Sequence, residues 1–397
     1  MNSKITYMPG PSNIKENVRQ VRSSITTNPD VDGNFVEFYK NTCDKIGKII
    51  NTKNDIYILN GEGILGLEAA CASLTEKGDR VLVIDNGIFG NGFSDFVKMY
   101  GGEVVFFRGS YKNGVDTSKL REFLEQDSDF KYATIVHCDT PTGVLNNIKD
   151  ICTMLNKYEI ITVVDSVSAM VGEELLVDEW KIDIILGASQ KAISAQPGLT
   201  IVGISEKAKE CIKNRKSNVM GFYCNLKIWE NYYETKEFPY TMPISDILSL
   251  NVAIDNILEE GVINVLNRHN KIAIALRKAL IEYGLELFLD SDYSNTVTGV
   301  LVPENIGALN LSEYISKQYN IIIGTSLGEY KDKILRIGHM GENARLERLI
   351  YILNILDISL SKLGFIGNGC LVELFNKNYR IIFRLRLFKY CNWSFST

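Results

Sequence analysis

Three turns in this sequence carry residues that can do chemistry together. Asp183-Ile-Ile-Leu-Gly-Ala-Ser-Gln-Lys191 sets a lysine just past an apolar run, among small and polar neighbours, with a Gln-Pro-Gly turn at 196–198. A lysine there is either a solvated loop residue or a Schiff-base nucleophile, and the second role needs a pocket that lowers its pKa. Val163-Val-Asp-Ser-Val-Ser168 ends another apolar run on a carboxylate, Asp165. Such a carboxylate either caps its loop or pairs with a buried cation. Leu59-Asn-Gly-Glu-Gly-Ile-Leu-Gly66 leads glycines into a helix start. Backbone N–H groups at that position favour an anion such as a phosphate. Gly61, Gly63 and Gly66 also fit G-x-G-x-x-G, so a nucleotide stays open as an alternative, with Asp79 or Asp85 as the ribose partner.

These turns need a scaffold, and the chain supplies one between about 55 and 205. Apolar runs at Ile56–Leu59, Arg80–Ile84, Glu103–Phe107, Ala133–His137, Ile160–Asp165 and Ile182–Leu186 read as buried strands. Helical patterns at Leu65–Leu74, Gly90–Tyr100, Ser118–Gln126 and Ile148–Tyr158 alternate with them. The alternation predicts an α/β fold with a mainly parallel sheet flanked by helices, whose ligands sit beyond the carboxyl ends of the strands. Helices at Ile244–Glu260 and Asn264–Tyr283 lead into a smaller α+β region. Its predicted strands are Leu285–Leu289, Val297–Val302 and Ile334–Ile337, and its helices Leu311–Tyr319 and Asn343–Leu363. The expected division is an N-terminal segment over 1–16, a large domain over 17–255, a small C-terminal domain over 256–363 and an atypical tail over 364–397. Tyr379 to Lys389 alternates basic and apolar residues in the manner of an edge strand, or else belongs to an appended terminus outside the fold.

The bulk composition narrows the function class. With 397 residues, 45% of them hydrophobic, the chain can bury a large core and a smaller one. Lys and Arg total 43 against 48 Asp and Glu, a net charge of −5, which gives no electrostatic reason to expect nucleic acid or an anionic membrane as partner. Met1 to Pro11 lacks the basic-then-apolar pattern of a secretory signal, and no apolar stretch is long enough to span a bilayer. Eight cysteines with no Cys-x-x-Cys pair read as reduced cytoplasmic thiols, and three histidines without a Cys/His cluster argue against a zinc site.

Seven short motifs, in order, connect these turns to a known group. They are Pro9-Gly-Pro-Ser12, Gly61-Glu-Gly-Ile-Leu-Gly-Leu-Glu-Ala-Ala70, Asn86-Gly-Ile-Phe-Gly90, His137-Cys-Asp-Thr-Pro-Thr-Gly143, Val164-Asp-Ser-Val-Ser168, Gly187-Ala-Ser-Gln-Lys191 and Leu335-Arg-Ile-Gly-His-Met-Gly341. Across roughly 7–364 the sequence resembles the class V branch of the fold-type I, pyridoxal-phosphate-dependent aminotransferases. That group contains alanine–glyoxylate, serine–glyoxylate and serine–pyruvate aminotransferases. The resemblance implies pyridoxal 5′-phosphate as cofactor, with Lys191 as its Schiff-base lysine and proton shuttle and Asp165 on the ring nitrogen. Phe89 would stack on the ring, Val167 would pack on its other face, and Thr140 would reach the phenolic oxygen. Gly63 and Ile64 N–H groups with Gln190 would hold the phosphate, and Arg336 the substrate α-carboxylate, for which a planar fork is suited. Phe238-Pro-Tyr-Thr-Met-Pro243 resembles the segment that crosses to a second subunit, which implies a homodimer with Thr241 on the partner's phosphate.

Three departures stand out. Phe238 replaces a usual Tyr, so one phosphate contact is lost; Asp139 replaces a usual Glu; and Asn28-Pro-Asp-Val-Asp-Gly-Asn34 replaces a His/Arg-bearing entrance. His137 and His339 read as structural. The implied reaction is amino transfer from alanine or serine to glyoxylate or pyruvate. Alternatives are a lyase of the cysteine desulfurase kind, for which Cys370 would be the nucleophile, and transamination of 2-aminoethylphosphonate.

Overall fold

The computed structural model describes residues 4–393. Seven strands form the main sheet: β1 (Asp55–Asn60), β2 (Arg80–Asp85), β3 (Glu103–Arg108), β4 (Tyr132–Val136), β5 (Ile161–Asp165), β6 (Ile184–Ala188) and β7 (Leu199–Ile204). Their order is β1-β7-β6-β5-β4-β2-β3. All neighbours pair parallel except β7, which runs antiparallel to both β1 and β6. Six of the seven strands therefore end on the same side. Near-continuous Val, Ile and Leu makes all of these strands except the edge strand β3 buried on both faces, as a sheet covered by helices requires. The covering helices include α1 (Gly33–Ile49), α2 (Ile64–Leu74), α3 (Ile88–Met99), α4 (Thr117–Gln126) and α5 (Ile148–Lys157). Side chains close three of their amino ends: Asp32 accepts from the Asn34 N–H, Asp116 from the Ser118 and Lys119 N–H groups, and Asn147 from the Asp150 N–H.

β7 is absent from the sequence reading. An apolar run gives no sign of strand direction, and Leu199–Ile204 follows the Gln-Pro-Gly turn too closely for an intervening helix. That turn reverses the chain, and the Gly61 N–H donates to the Gly198 carbonyl at 2.8 Å, tying β7 to the first glycine turn.

Helices α6 (Ile244–Glu260) and α7 (Val262–Tyr283) lead to a four-stranded antiparallel sheet. Its strands are β8 (Glu286–Leu287), β9 (Val297–Leu301), β10 (Gly324–Thr325) and β11 (Ile334–Gly338), in the order β8-β9-β11-β10. With α8 (Ala308–Tyr319) and α9 (Leu346–Lys362) it encloses a second apolar core around Leu276, Val300, Ile337 and Leu353. Ile5–Thr6 pairs with Ile321–Ile322, so the first described residues lie against this second core.

The tail corrects the sequence expectation. Leu371–Trp393 is a helix, α10, not an edge strand. Leu371, Phe375, Asn378 and Ile382 are its buried positions, a spacing of four, three and four that fits a helix turn and not a strand. Nor does it stand outside the fold. Leu371 and Phe375 are fully buried in the second core, and the Leu371 N–H donates to Asp357 at 2.9 Å.

Candidate active site

The carboxyl ends of β1, β2, β4, β5 and β6 deliver five turns to one place: 61–64, 86–89, 137–140, 165–168 and 189–191. A cavity of about 240 Å³ lies there. Of the residues nominated from sequence, Gly63, Ile64, Phe89, Thr140, Asp165, Val167 and Lys191 line it. Gly63 has to be small, because a Cβ would come within 3.1 Å of Ala188 and 3.2 Å of Val167.

Lys191 Nζ donates to the Pro9 carbonyl at 2.9 Å, so the Pro9-Gly-Pro motif closes over the lysine. Burial lowers the Lys191 pKa, and the guanidinium of Arg336 lowers it further, against the opposite pull of Asp165 and Glu62. Asp165 ends β5, fully buried, and its Oδ1 accepts from the Val167 N–H at 2.8 Å. Burial raises its pKa to about 7, while that hydrogen bond and Lys191 pull it down. Asp139 is held similarly. It accepts from the Phe89 N–H at 2.8 Å and the Thr142 hydroxyl at 2.9 Å, and burial raises its pKa to about 6. This carboxylate thereby fixes the turn that carries Phe89. Thr140 and Ser168 hydrogen-bond to each other through their hydroxyls at the cavity wall.

Arg336 lies on β11, 7% exposed, behind the cavity wall and outside its lining residues. Its Nε donates to the Thr325 carbonyl at 2.8 Å and its Nη1 to the Thr140 carbonyl at 3.2 Å. Burial lowers its pKa to about 10, and Asp139 opposes that shift. Gln190 is buried beside the first glycine turn. Thr241 is elsewhere: exposed, it donates to Asp30 Oδ2 at 2.8 Å.

Three lining residues, Glu62, Leu67 and Ser168, have no role in the sequence reading, and Glu62 is the charged one. Glu62 Oε2 accepts from the Ile64 N–H at 3.0 Å, and Oε1 accepts from the Gln190 side-chain amide. These are two of the donors nominated for a phosphate. The signal was available in the sequence, as an acid between two glycines of an anion-binding turn. Ring-sized space between Phe89, Val167, Asp165 and Lys191 fits a pyridoxal ring; the far end is already furnished with a carboxylate. His137 and His339 are fully buried with pKa values lowered to about 3 by desolvation, and neither lines the cavity.

Residues 14–330 match the family model for class V aminotransferases. The chain belongs to that family. Its members are pyridoxal-phosphate enzymes that move an amino group between an amino acid and a 2-oxo acid, and this chain is one of them. It is 32% identical to the pyridoxamine–pyruvate transaminase of Mesorhizobium japonicum, over 86% of this chain and 88% of that one. It is 30% identical to the alanine–glyoxylate aminotransferase of Drosophila melanogaster, over 91% and 94%. Among solved structures, ureidoglycine–glyoxylate aminotransferase from Bacillus subtilis superposes with a TM-score of 0.92 at 27% identity, covering 96% of this chain and 99% of that one. That agreement extends to the mainly parallel sheet and the smaller C-terminal region.

Proposed function

We propose that this aminotransferase passes the amino group of a short monoacidic amino acid, such as alanine or serine, to glyoxylate or pyruvate, with Lys191 and Asp165 as its catalytic residues. The observation that carries this reading is the convergence of Lys191 and Asp165 in one cavity beside a single buried guanidinium, Arg336. Pyridoxal phosphate supplies an electron sink for the charge left when the substrate carbon loses a proton. Asp165 keeps a proton on a ring nitrogen set against it. Lys191, made less basic by burial and by Arg336, would serve as the nucleophile and then carry the proton at the substrate carbon. Phe89 and Val167, which line the cavity, would bound the ring's two faces, and the Thr140 hydroxyl would meet its phenolic oxygen. The N–H groups of Gly63 and Ile64, with Gln190 and the partner subunit's Thr241, would hold a phosphate only with Glu62 displaced from the Ile64 N–H and the Gln190 amide. Arg336 grips the substrate carboxylate.

Short substrates follow from charge. Among the described residues, Lys191 is the only basic side chain lining the cavity, so no second cation there suits a distal acid group. No cysteine lines it either, which counts against the desulfurase alternative, and Cys370 sits at the start of α10 in the second core region. A homodimer is part of the proposal. Val31, Met220 and Phe222 are 81%, 70% and 56% exposed, and they flank the Asp30–Thr241 hydrogen bond and the Tyr223–Tyr240 stack. An apolar patch of this kind favours a partner surface. The division into a cofactor-binding unit over 17–255 and a smaller unit over 256–363 is supported by the two separate apolar cores. A donor panel tests the substrate class. Alanine or serine should exceed aspartate and glutamate at least tenfold in kcat/KM with glyoxylate or pyruvate as acceptor; the reverse ranking would refute it.

A further inference from the structure

The anion-binding end of the cavity already holds an anion. Glu62 lies between Gly61 and Gly63 at the start of α2, and its two carboxylate oxygens accept from the Ile64 N–H and the Gln190 amide. The loop beneath it is fixed, because the Thr200 hydroxyl donates to the Glu62 carbonyl at 2.7 Å and the Gly61 carbonyl at 3.0 Å. Because its amide N–H faces Glu62, Gln190 has its Oε1 on the other side, buried and without a partner among the described residues. A carboxylate thus already occupies two of the donors at this end of the cavity, the Ile64 N–H and the Gln190 amide. A phosphate monoester brings about two negative charges near pH 7 and only accepts hydrogen bonds. It would have to displace Glu62 and take its place in a cavity also lined by Asp165, with Lys191 as the one basic lining residue. A primary alcohol is the better match, since its O–H can donate to the lining carboxylate of Glu62.

We propose that this site takes unphosphorylated pyridoxamine as an amino donor and releases pyridoxal, with Glu62 accepting the hydrogen bond of the 5′-hydroxyl. The inference rests on the ring-binding assignment of Lys191 and Asp165, and it concerns only the other end of the ligand. The reaction balances with a 2-oxo acid as the sole co-reactant. The pyridoxamine nitrogen condenses with the oxo carbon and one water leaves. The C4′–H bond breaks, its electron pair passes to the former oxo carbon, and that carbon gains a proton, both protons being carried by Lys191. Water then cleaves the C4′–nitrogen double bond to give pyridoxal and the amino acid. C4′ is oxidised by two electrons and the oxo carbon is reduced by two. A phosphate held firmly would keep the cofactor in place through many turnovers, whereas a single hydroxyl contact lets the aldehyde leave as product.

The test is a titration of ligand-free protein with pyridoxal and, separately, with pyridoxal phosphate, read by the visible absorbance of the Lys191 adduct. Wild type should bind pyridoxal at least as tightly as its phosphate. Glu62→Ser, which removes the charge and shortens the side chain, should move the ratio at least tenfold toward the phosphate. Glu62→Gln, which keeps the shape, should move it the same way. Pyridoxamine and pyruvate alone should give pyridoxal and alanine over many turnovers with wild type. Tighter binding of the phosphate by wild type, or a ratio unmoved by Glu62→Ser, would overturn the proposal while leaving Lys191 and the class of reaction intact. Absence of the absorbance band with both ligands would instead overturn the ring-binding assignment, and this proposal with it.

Discussion

At Lys191, burial and the Arg336 guanidinium both work against protonation, and Asp165 works for it. The three groups are coupled, so each substitution has a distinct signature. Asp165→Asn removes the negative partner of the ring nitrogen but keeps the side-chain oxygen that accepts from Val167. Turnover should fall about a hundredfold, the usual size for losing one fixed electrostatic contact to a developing charge. The melting temperature should hold or rise, because a buried carboxyl with a pKa lifted to about 7 disfavours the folded state at neutral pH. A large fall in melting temperature with normal activity in the surviving fraction would contradict the role. Arg336→Ala should lower kcat/KM roughly tenfold to a hundredfold for amino acid and oxo acid alike, since a charge-assisted hydrogen bond is worth about 1.5–3 kcal/mol. Equal kcat/KM for both substrates in mutant and wild type would remove Arg336 from substrate binding.

Within single elements, burial sets the pH response. His269 on α7 is fully buried; its Nδ1 donates to the Val265 carbonyl, and its Nε2 accepts from the Gly341 N–H at 2.8 Å. The ring is therefore neutral, and desolvation with help from Arg268 lowers its pKa to about 3 from 6.5. An unfolded chain takes up a proton at this position below pH 6.5 and the folded chain does not. The neutral histidine is thus tolerated above that pH, and stability is lost as pH falls from 6.5 toward 3. The loss is about 1.4 kcal/mol per pH unit for one proton. Asp139, Asp165 and Glu173, with raised pKa values, push the other way between about pH 4 and 7. His269→Gln, whose amide can make both hydrogen bonds, should therefore gain in melting temperature relative to wild type between pH 7 and pH 5. A constant difference across that range would show that the histidine is protonated in the fold.

The same scale shows what the sequence could reveal. Parallel strands were legible because each is an apolar run closed by a turn with its own chemistry: Asp165 after Ile161–Val164, Lys191 after Ile184–Ala188. β7 was not, since direction is set by the partner strand and leaves no mark in the run itself. The tail was misread because 379–389 alternates by twos over a short span, while its burial follows Leu371, Phe375, Asn378 and Ile382, which begin earlier. Glu62 was passed over because the glycines around it explained the turn without it; its contact with Gln190 spans 128 residues and cannot be seen locally.

For the whole molecule, the exposed residues around Thr241 and the entrance segment predict a dimer. Obligate dimers bury more than about 2,000 Å², with an apolar centre. Sedimentation should give twice the chain mass of 44.7 kDa at micromolar concentration, and charged substitutions at Phe222 and Val31 together should yield inactive monomers. A fully active monomer would refute shared sites. The small sheet touches the cavity wall through Arg336, which donates to the carbonyl of the lining residue Thr140, while Lys191 and Asp165 come from the main sheet. Movement of one core against the other would thus change the grip on the substrate carboxylate without disturbing the ring-binding residues.

The central claim is amino transfer through Lys191, and a single turnover tests it most directly. Protein loaded with pyridoxal phosphate, freed of excess ligand and mixed with alanine alone, should lose its visible absorbance band and release one equivalent of pyruvate per site, then stop. Added glyoxylate should restore the band and yield one equivalent of glycine, as a two-stage covalent cycle requires. Continuous release of ammonia or sulfide from amino acids without any oxo-acid acceptor, or a band that alanine leaves unchanged in wild type, would contradict the account.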